Sequence, residues 1–450
     1  FTPERPKMEV FLLSVFFFVS VLISVSSLDD AFIDIFALGI VRLKRNSINE
    51  DIEIPPTAVF VANWQEADVI EKMVEGNLAR IPIDAVEFYL GVYPNDTETL
   101  SAALRLAEKH PDRVRVIVNS LPGPTSKGQM LNEMFRQVFS TDDDGPELVV
   151  LHDSEDVIDP RTFSIYAAYA KDHDFIQVPV FSLTSTHRSL VASTYMDEFA
   201  ERHTREMVVR DAVGAMIPSA GVGTCMTKRL IRHFIKWRGA VLLNGCVTED
   251  YILGVEVKRA GFRSAFASAS TADGKMIDFV ATREYFPSSF SASIRQKTRW
   301  VYGICFEGMH KLGWGGDPWD VYFFLRDRKG MVTNFLPPIA LFLMIALLME
   351  WIDSAKMPDD LTPIFEISIA LNFIALLLRY VVRVASLGKV YGGVDFMGIA
   401  ERWPVAAAVN FMAVFRAWKT YLTEAEFGTK PIAWSKTQHE VPDDFLNLDK

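Results

Sequence analysis

Residues 147–156 read ELVVLHDSED, a short apolar run that ends in a densely acidic turn. A run of this length, rich in β-branched residues and bounded by turn residues, predicts a buried strand. Three similar runs precede it, and each of the four is followed by a segment with helical spacing. The strands are predicted at 57–63, 85–93, 113–119 and 147–153, and the helices at 67–80, 97–109, 128–139 and 160–171. Strand followed by helix, about every 30 residues, predicts an α/β fold with a doubly wound parallel sheet.

The acidic turn lies where such a sheet binds ligands, because ligands sit beyond the carboxyl ends of parallel strands. Carboxylates at Asp153 and Glu155 can point to one side and share a hard cation such as Mg²⁺ or Mn²⁺ when substrate phosphates supply further oxygens. The alternative is an acidic turn that caps the next helix. His152 is interpreted as a packing residue or as a support for the turn.

Composition narrows the class of protein. Of the 450 residues, 50% are hydrophobic, which is more apolar material than separate soluble domains usually need and excludes an intrinsically disordered chain. The 46 Lys and Arg against 57 Asp and Glu give a net charge of −11, so a broad basic face that binds nucleic acid is not expected. Cys225, Cys246 and Cys305 match neither a zinc knuckle nor a disulfide framework, which indicates a reducing compartment.

Three uncharged or nearly uncharged runs indicate membrane spans. Residues 10–28 would form a helix about 28 Å long, close to the thickness of the hydrocarbon core; a secretory signal peptide is the alternative. The other runs are 331–349 and 361–378, the second interrupted by Glu366. The loop at 352–360 is acidic and the outer flanks of both runs are basic, so the loop is expected outside and the flanks in the cytoplasm.

These patterns divide the chain into membrane and cytoplasmic parts. We expect transmembrane helices at 8–28, 329–352 and 361–386, interfacial helices at 29–45 and 394–424, a cytoplasmic domain at 46–328, and a cytoplasmic tail at 425–450. The segment 29–45 can also be an extension of the first span.

Two further polar motifs follow the acidic turn. Thr-Glu-Asp at 248–250 opens a predicted helix, and its simpler interpretation is a threonine N-cap with acidic residues that favour the helix dipole. Gln296 and Arg299 lie one turn apart on another predicted helix, followed by Trp300. The simpler interpretation of this helix is a basic face that lies on lipid headgroups.

The three motifs, in this order, resemble those of the membrane-embedded family 2 glycosyltransferases, which include cellulose, chitin and hyaluronan synthases. Those enzymes carry a DxD-type turn, a TED-type turn and a Q-x-x-R-W helix between transmembrane segments. The similarity covers about residues 55–310 and the flanking membrane segments. The matching pieces are Asn63-Trp64-Gln65-Glu66, Asn95-Asp96, Ser126-Lys127-Gly128, Asp153-Ser154-Glu155, Gly221-Val222-Gly223-Thr224, Thr248-Glu249-Asp250 and Gln296-Lys297-Thr298-Arg299-Trp300. Within the family the sequence most resembles the NfrB-like transferases of the bacterial inner membrane.

The resemblance implies a GT-A-type, Rossmann-like catalytic domain inserted between transmembrane helices and facing the cytoplasm. It implies an inverting transfer from a nucleoside diphosphate sugar, expected to be UDP-linked, to a saccharide or lipid-linked acceptor in exopolysaccharide synthesis. Asp250 corresponds to the family's base. The implied site residues are Asp250 and Glu249 for catalysis, Asp153 and Glu155 for Mg²⁺ or Mn²⁺, Glu66, Asp96, Lys127, Asp153 and Arg299 for the nucleotide, and Gln296, Trp300, Gly223 and Thr224 for the acceptor.

Two departures from the family pattern stand out. Glu155 replaces the second aspartate of the DxD turn, and Tyr93 lies near the usual start of the second-strand acidic motif, which leaves Asp96 as the candidate there.

The expected partners follow from the same resemblance. NfrB-like transferases pair with an outer-membrane partner. Three transmembrane helices are also too few for one chain to form a polysaccharide channel by itself. The chain is therefore expected to form a homo-oligomer, to use an export partner, or to make a short lipid-linked saccharide within the lipid bilayer. The rival hypothesis is a catalytically idle membrane receptor or scaffold of the phage-receptor type that retains the transferase fold.

Overall fold

The computed structural model describes residues 5–41, 52–141, 145–184, 189–268, 270–273, 276–353 and 356–423. The predicted tail at 425–450 and the end of the predicted interfacial helix at 42–45 lie outside the described residues.

Strands and helices alternate through the domain, and long helices flank it. The strands are β1 (Thr57–Ala62), β2 (Val86–Val92), β3 (Val114–Val118), β4 (Leu148–His152), β5 (Phe175–Gln177), β6 (Val180–Ser182), β7 (Thr224–Thr227), β8 (Ser264–Phe266), β9 (Ser270–Asp273), β10 (Met276–Phe279) and β11 (Thr282–Glu284). The helices are α1 (Arg5–Val41), α2 (Ala67–Arg80), α3 (Thr97–Lys109), α4 (Lys127–Val138), α5 (Thr162–Tyr169), α6 (Leu190–Glu201), α7 (Met207–Ala212), α8 (Lys228–Arg238), α9 (Glu249–Arg259), α10 (Phe290–Val301), α11 (Gly308–Leu312), α12 (Pro318–Thr333), α13 (Leu336–Leu348), α14 (Thr362–Tyr391) and α15 (Phe396–Thr423). Short π-helical segments join α6 to α7 and α10 to α11.

The main sheet has seven strands in the order β3-β2-β1-β4-β7-β5-β8. Strands β1 to β4 run parallel to one another, and each is followed by the predicted helix. The predicted α/β fold is therefore confirmed. Strand β7 runs antiparallel to both β4 and β5, so the sheet is mixed although mostly parallel.

Both faces of the sheet are covered by helices. Side chains of β1 alternate between two apolar cores: Val59 and Val61 face the core formed with α2, α3 and α5, and Ala58 and Phe60 face the core formed with α4, α8 and α9. Every residue of β1 is buried. A strand buried on both faces reads as a continuous apolar run, which is why the sequence pattern predicted it correctly.

Among the described helices, α1 and α14 are long and apolar enough to cross a membrane. They are joined by a buried polar cluster, in which the hydroxyls of Ser20 and Ser368 lie 2.6 Å apart and Ser24 Oγ donates to Asn372 Oδ1 at 2.9 Å. Hydrogen bonds of this kind hold helices together where no water is available to polar groups.

The segment predicted as a span at 329–352 is divided between two helices. Helices α12 and α13 meet at a bend of 44°, and only as a pair are they long enough to be a third span. Pro337 and Pro338 stand at the beginning of α13. Proline lacks the amide hydrogen that would continue the helix from α12, which explains the break.

Helix α1 continues without interruption from the predicted span into residues 29–41. Its length of about 55 Å exceeds the hydrocarbon thickness of about 30 Å. The last turns pack on the α/β domain, where Ile33 and Ala37 share an apolar cluster with Ile252 of α9. This part of α1 therefore forms an extension of the first helix.

Helix α15 covers most of the predicted interfacial segment 394–424 and lies against the domain. Arg402 donates two hydrogen bonds of 2.8 Å to the Asp197 carboxylate of α6. Lys297 of α10 donates to Asn410 Oδ1 at 2.9 Å. The position of α15 at a membrane interface stays a prediction.

Candidate active site

A cleft of about 210 Å³ opens at the carboxyl ends of β1 and β4. Side chains from all three sequence motifs line it, although the first and third motifs lie more than a hundred residues apart in the chain. Of the predicted site residues, the cleft brings together Lys127, Asp153, Glu155, Glu249, Asp250, Gln296, Arg299 and Trp300. The expected convergence of the motifs is therefore present in the structure.

The acidic turn is held from beneath by buried polar groups. Asp156 Oδ2 accepts a hydrogen bond from the amide of Asp153 at 3.0 Å and lies 2.7 Å from His152 Nδ1. Asn77 of α2 is fully buried. It donates to the carbonyl of Asp156 at 2.8 Å and accepts from the amide of Ile158 at 2.9 Å. These contacts fix the backbone of the turn and leave the carboxylate of Asp153 directed into the cleft.

Lys127 supplies a positive charge to the cleft from the first turn of α4. Its ammonium group forms an ion pair with Asp153 and donates to the carbonyl of Gly221 at 3.3 Å. Burial alone would lower the pKa of Lys127. The negative charges of Asp153, Asp250 and Glu249 outweigh burial and raise the pKa above its usual value, so the group stays charged.

Glu249 and Asp250 lie in the first turn of α9, in the cleft wall, where Glu249 is buried and Asp250 is half-buried. Burial, followed by repulsion from Asp250, raises the pKa of Glu249 to about 8. Burial is also the main reason why the pKa of Asp250 is raised. The Thr248 hydroxyl has no hydrogen-bond partner among the described residues and does not cap α9. Thr248 therefore occupies the N-cap position, with two acidic residues in the first turn as the simpler interpretation expects, but its side chain makes no capping hydrogen bond.

The Asp250 carboxylate is positioned by main-chain groups. Its Oδ1 accepts a hydrogen bond from the amide of Tyr251 at 2.7 Å. A Cβ atom on Gly221 would lie 2.7 Å from Asp250 Oδ2, and the φ of Gly221 is +80°. Glycine is needed there on both counts, because it accepts a left-handed backbone and leaves room for the carboxylate.

Helix α10 presents Gln296, Arg299 and Trp300 to the cleft. Gln296 Oε1 is buried and has no partner within the part of the chain that the structure describes. Burial lowers the pKa of Arg299, against the opposing effect of nearby carboxylates. The ring of Trp300 packs edge-on against Tyr195, with centroids 6.0 Å apart. These side chains therefore face the cleft and not an outer lipid-facing surface.

Two residues predicted to bind the nucleotide do not belong to the described lining of the cleft. Asp96 caps α3: its Oδ1 accepts from the amide of Thr99 at 3.3 Å, and its Oδ2 accepts from the amide of Gln65 at 2.5 Å. Glu66 is buried at the start of α2. Their contact with a nucleotide stays a prediction.

The two residues of the glycine-rich segment predicted to bind the acceptor lie behind the cleft. The carbonyl of Gly223 accepts a hydrogen bond from the Tyr166 hydroxyl at 3.1 Å. The Thr224 hydroxyl donates to Gln177 Oε1 at 2.7 Å. The neighbouring Val222 lines the cleft, whereas the described lining does not include Gly223 or Thr224.

Glu284, at the end of β11, lines the cleft and was not identified from the sequence. Arg283 exchanges main-chain hydrogen bonds with Val157, and this pairing brings the strand beside the acidic turn. Burial, followed by the charges of Asp156 and Glu155, raises the pKa of Glu284 well above its usual range. The sequence signal was weak, because Glu284 stands outside the three motifs in a strand of three residues.

The donor chemistry of the cleft fits a hard divalent cation. Five carboxyl side chains line it, against the two cations Lys127 and Arg299. Asp153 and Glu155 offer the oxygen atoms that Mg²⁺ and Mn²⁺ prefer. Within the described residues, no three His, Cys, Asp or Glu side chains are placed to hold a metal ion by themselves. An ion at this site would therefore need phosphate oxygens from a substrate.

A family model described as glycosyltransferase-like family 2 matches residues 55–303, the segment that forms the sheet and the cleft. The chain belongs to this family. The resemblance drawn from the three motifs is thereby confirmed, and so is the predicted fold class of a GT-A-type domain flanked by apolar helices.

Curated relatives and solved structures agree with this family. Bacteriophage adsorption protein B of Escherichia coli K12 and bacteriophage N4 adsorption protein B of E. coli O157:H7 are each 30% identical over 94% of this chain. The chain spans 61% of the length of these relatives. A mannosyltransferase of Pyrobaculum calidifontis, solved with GDP-Man and Mn²⁺, has a TM-score of 0.56 at 15% identity and covers 91% of this chain and 100% of its own. That likeness shows the fold.

Proposed function

We propose that this family 2 glycosyltransferase moves a sugar from a nucleoside diphosphate to a saccharide or lipid-linked acceptor, with inversion at the anomeric carbon. The observation that carries the proposal is the single cleft in which Asp153, Asp250 and Trp300 meet. The complex of the Pyrobaculum mannosyltransferase with GDP-Man and Mn²⁺ supports a nucleotide sugar as donor. We expect the reaction at the cytoplasmic face of a bacterial inner membrane, in exopolysaccharide synthesis with a UDP-linked sugar.

Asp250 is the proposed general base. The acceptor hydroxyl oxygen bonds to the anomeric carbon, the bond from that carbon to the diphosphate breaks, and the hydroxyl proton passes to the Asp250 carboxylate. The raised pKa of Asp250 makes its carboxylate a stronger base than a solvent-exposed aspartate. Base assistance of this kind is commonly worth about 10²–10⁴ in rate.

The departing diphosphate gains negative charge, and the cleft offers compensation. Lys127 and Arg299 are the cationic side chains of the cleft lining. Asp153 and Glu155 would hold Mg²⁺ or Mn²⁺, which supplies further positive charge to the phosphate oxygens when bound. Lys127 and Arg299 bind and orient the diphosphate in this arrangement.

The acceptor is proposed to lie against Trp300 and Gln296. The Trp300 ring offers an apolar face to a sugar, and its position is set by contacts with Tyr195 and Phe199. The buried Gln296 Oε1 can accept a hydrogen bond from an acceptor hydroxyl. Trp300→Ala is expected to impair transfer to acceptor more than hydrolysis of the nucleotide sugar.

The test is transfer of label from a panel of radiolabelled nucleotide sugars by membranes, with and without Mn²⁺. Asp250→Asn should keep nucleotide binding and reduce transfer by about 10²-fold or more. Asp172→Asn, a change at an exposed aspartate outside the cleft, is the matched control. Unimpaired turnover by Asp250→Asn would refute the assignment of the base.

A second candidate is a catalytically idle receptor, favoured by the names of the curated relatives, which are bacteriophage adsorption proteins. In that case wild-type membranes bind phage and transfer no sugar. Phage adsorption that survives Asp250→Asn would indicate a role of the protein surface, whereas adsorption lost together with transfer would indicate a role of the saccharide product.

We also infer that the product leaves with help from other molecules. Among the described helices, at most three spans are available, even if the bent pair α12 and α13 counts as one. A homo-oligomer, an export partner in the outer membrane, or a short lipid-linked product would each meet this need. Labelled product that enters the organic phase on solvent extraction would identify a lipid-linked saccharide, and labelled product that stays in the aqueous phase would point to export.

A further inference from the structure

Glu284 is a carboxyl group of the cleft lining to which the proposed mechanism assigns no role. Asp153 is ion-paired with Lys127, and Asp250 accepts a hydrogen bond from Tyr251. The Glu284 side chain, by contrast, has no hydrogen-bond or ion-pair partner among the described residues, although it lines the same cleft. Polar groups inside proteins usually have hydrogen-bond partners, so one that has none within the protein is a candidate to bind a ligand.

The main chain holds Glu284 firmly in this position. Strand β11 runs parallel to β6, with Glu284 opposite Ser182, and the carbonyl of Glu284 accepts from the amide of Leu183 at 2.8 Å. On the other side, Arg283 donates to the carbonyl of Val157 at 3.0 Å and accepts from its amide at 2.7 Å. The strand is thus pinned between β6 and the acidic turn, so the side chain has a defined place in the cleft.

The roles proposed for the other cleft residues leave one substrate group for Glu284 to contact. Asp250 takes the role of base, and a carboxyl group has no positive charge to offer a diphosphate. In the proposed function Asp153 and Glu155 hold the metal ion, and Trp300 and Gln296 contact the acceptor. What remains is the sugar of the donor, whose hydroxyls need acceptors, and a carboxyl group offers acceptor oxygens in either protonation state.

We propose that Glu284 accepts hydrogen bonds from hydroxyl groups of the donor sugar and thereby selects which sugar is bound. The assignment rests on the proposed function and adds to it a residue that determines specificity. A site that hydrogen-bonds a substrate hydroxyl discriminates strongly against an analogue that lacks it.

The test is calorimetry on the full chain in detergent, with Mn²⁺ present. UDP and GDP are compared with UDP-glucose, UDP-N-acetylglucosamine and GDP-mannose for wild type, Glu284→Gln, Glu284→Asp and the surface control Glu71→Gln. For the sugar that wild type binds, Glu284→Gln should weaken nucleotide-sugar binding about 10- to 100-fold and leave nucleoside diphosphate binding unchanged. One deoxy form of that sugar should bind weakly to wild type and equally well to wild type and Glu284→Gln.

The other outcomes separate the two hypotheses. If wild type binds nucleotide sugars and Glu284→Gln binds them equally well, the assignment of Glu284 fails and the proposed function stands. An equal loss for nucleotide sugar and nucleoside diphosphate, or a lowered affinity for Mn²⁺ alone measured by electron paramagnetic resonance, also overturns the assignment. If wild type binds no nucleotide sugar, the proposed function and the assignment both fail. Retained diphosphate binding shows that a variant is folded, and Glu284→Asp provides a second, shorter carboxyl group.

Discussion

Glu249 is the neighbour of the proposed base Asp250, and the pKa of its carboxyl group responds to the negative charge in the cleft. Burial and the neighbouring Asp250 raise its pKa to about 8 from an ordinary 4.5. The folded chain therefore holds this proton more tightly than the unfolded chain. It follows that the free energy of unfolding decreases as the pH rises from about 4.5 to about 8.

We predict that Glu249→Gln removes this loss of stability. The melting temperature of the variant, relative to wild type, should increase by a few degrees between pH 5 and pH 8, since about 1 kcal/mol corresponds to about 2–4 °C in a domain of this size. Thermal unfolding of the detergent-solubilised protein across this pH range measures the difference. Parallel curves for the two proteins would contradict the prediction, and Glu71→Gln, at an exposed ion pair with Arg105, should give parallel curves.

Trp300 shows how a site residue depends on its neighbours. Its ring contacts Tyr195 and Phe199 of α6, so the proposed acceptor platform is built by two helices. Tyr195 is itself fixed, with its hydroxyl 2.9 Å from Ser293 Oγ of α10.

At the scale of elements, helix α2 supports the acidic turn that follows β4. Asn77 spans the gap with one hydrogen bond to the carbonyl of Asp156 and one from the amide of Ile158. The contact joins two elements about eighty residues apart in the chain. It explains why an asparagine occupies an otherwise apolar face of α2.

We predict that Asn77→Ala lowers the free energy of unfolding by about 2–4 kcal/mol, because it leaves a buried amide and a buried carbonyl without partners. Metal-dependent nucleotide binding should weaken as well, since Asp153 lies in the loosened turn. Asn77→Asp, which keeps the acceptor and loses the donors, should fall between wild type and Asn77→Ala. Chemical denaturation and calorimetry provide the two measurements. Stability lost without any change in nucleotide binding would show that α2 does not position the turn.

At the scale of the whole molecule, ion pairs join the long apolar helix α1 to α12 and to the catalytic domain. Arg326 of α12 lies 2.5 Å from Asp29 and 2.9 Å from Asp30, both on α1. It also lies 2.9 Å from Glu206, in the π-helical segment after α6. Lys329 adds pairs to the same two aspartates, at 2.6 and 2.8 Å. The first helix and the domain therefore share one network of charges.

We predict that Arg326→Met destabilises the protein by about 1–3 kcal/mol, because it removes a cation shared by three half-buried carboxylates, two of which keep their ion pairs with Lys329. Lys109→Met is the control: its ion pair with Glu75 is exposed, and its loss should cost about 1 kcal/mol or less. Thermal unfolding in detergent compares them. Equal, small decreases in stability for the two variants would mean that the network does not hold α1 against the domain.

The orientation in the membrane is a further prediction at this scale. The three native cysteines are buried, so a single introduced cysteine can report exposure. Asp359→Cys, in the acidic loop between α13 and α14, should react with a membrane-impermeant maleimide in spheroplasts. Lys236→Cys, at an exposed position of α8, should react only after lysis. The reverse pattern would place the catalytic domain outside the cell.

The amino-acid sequence by itself determined the strand and helix order of residues 57–169 and the three motifs, because both are local patterns of neighbouring residues. The tertiary structure decided what depends on distant contacts. It made β7 antiparallel, brought Asn77 under the acidic turn and placed Glu284 in the cleft. Each of these rests on a partner far away in the chain, and a local pattern carries no information about such a partner.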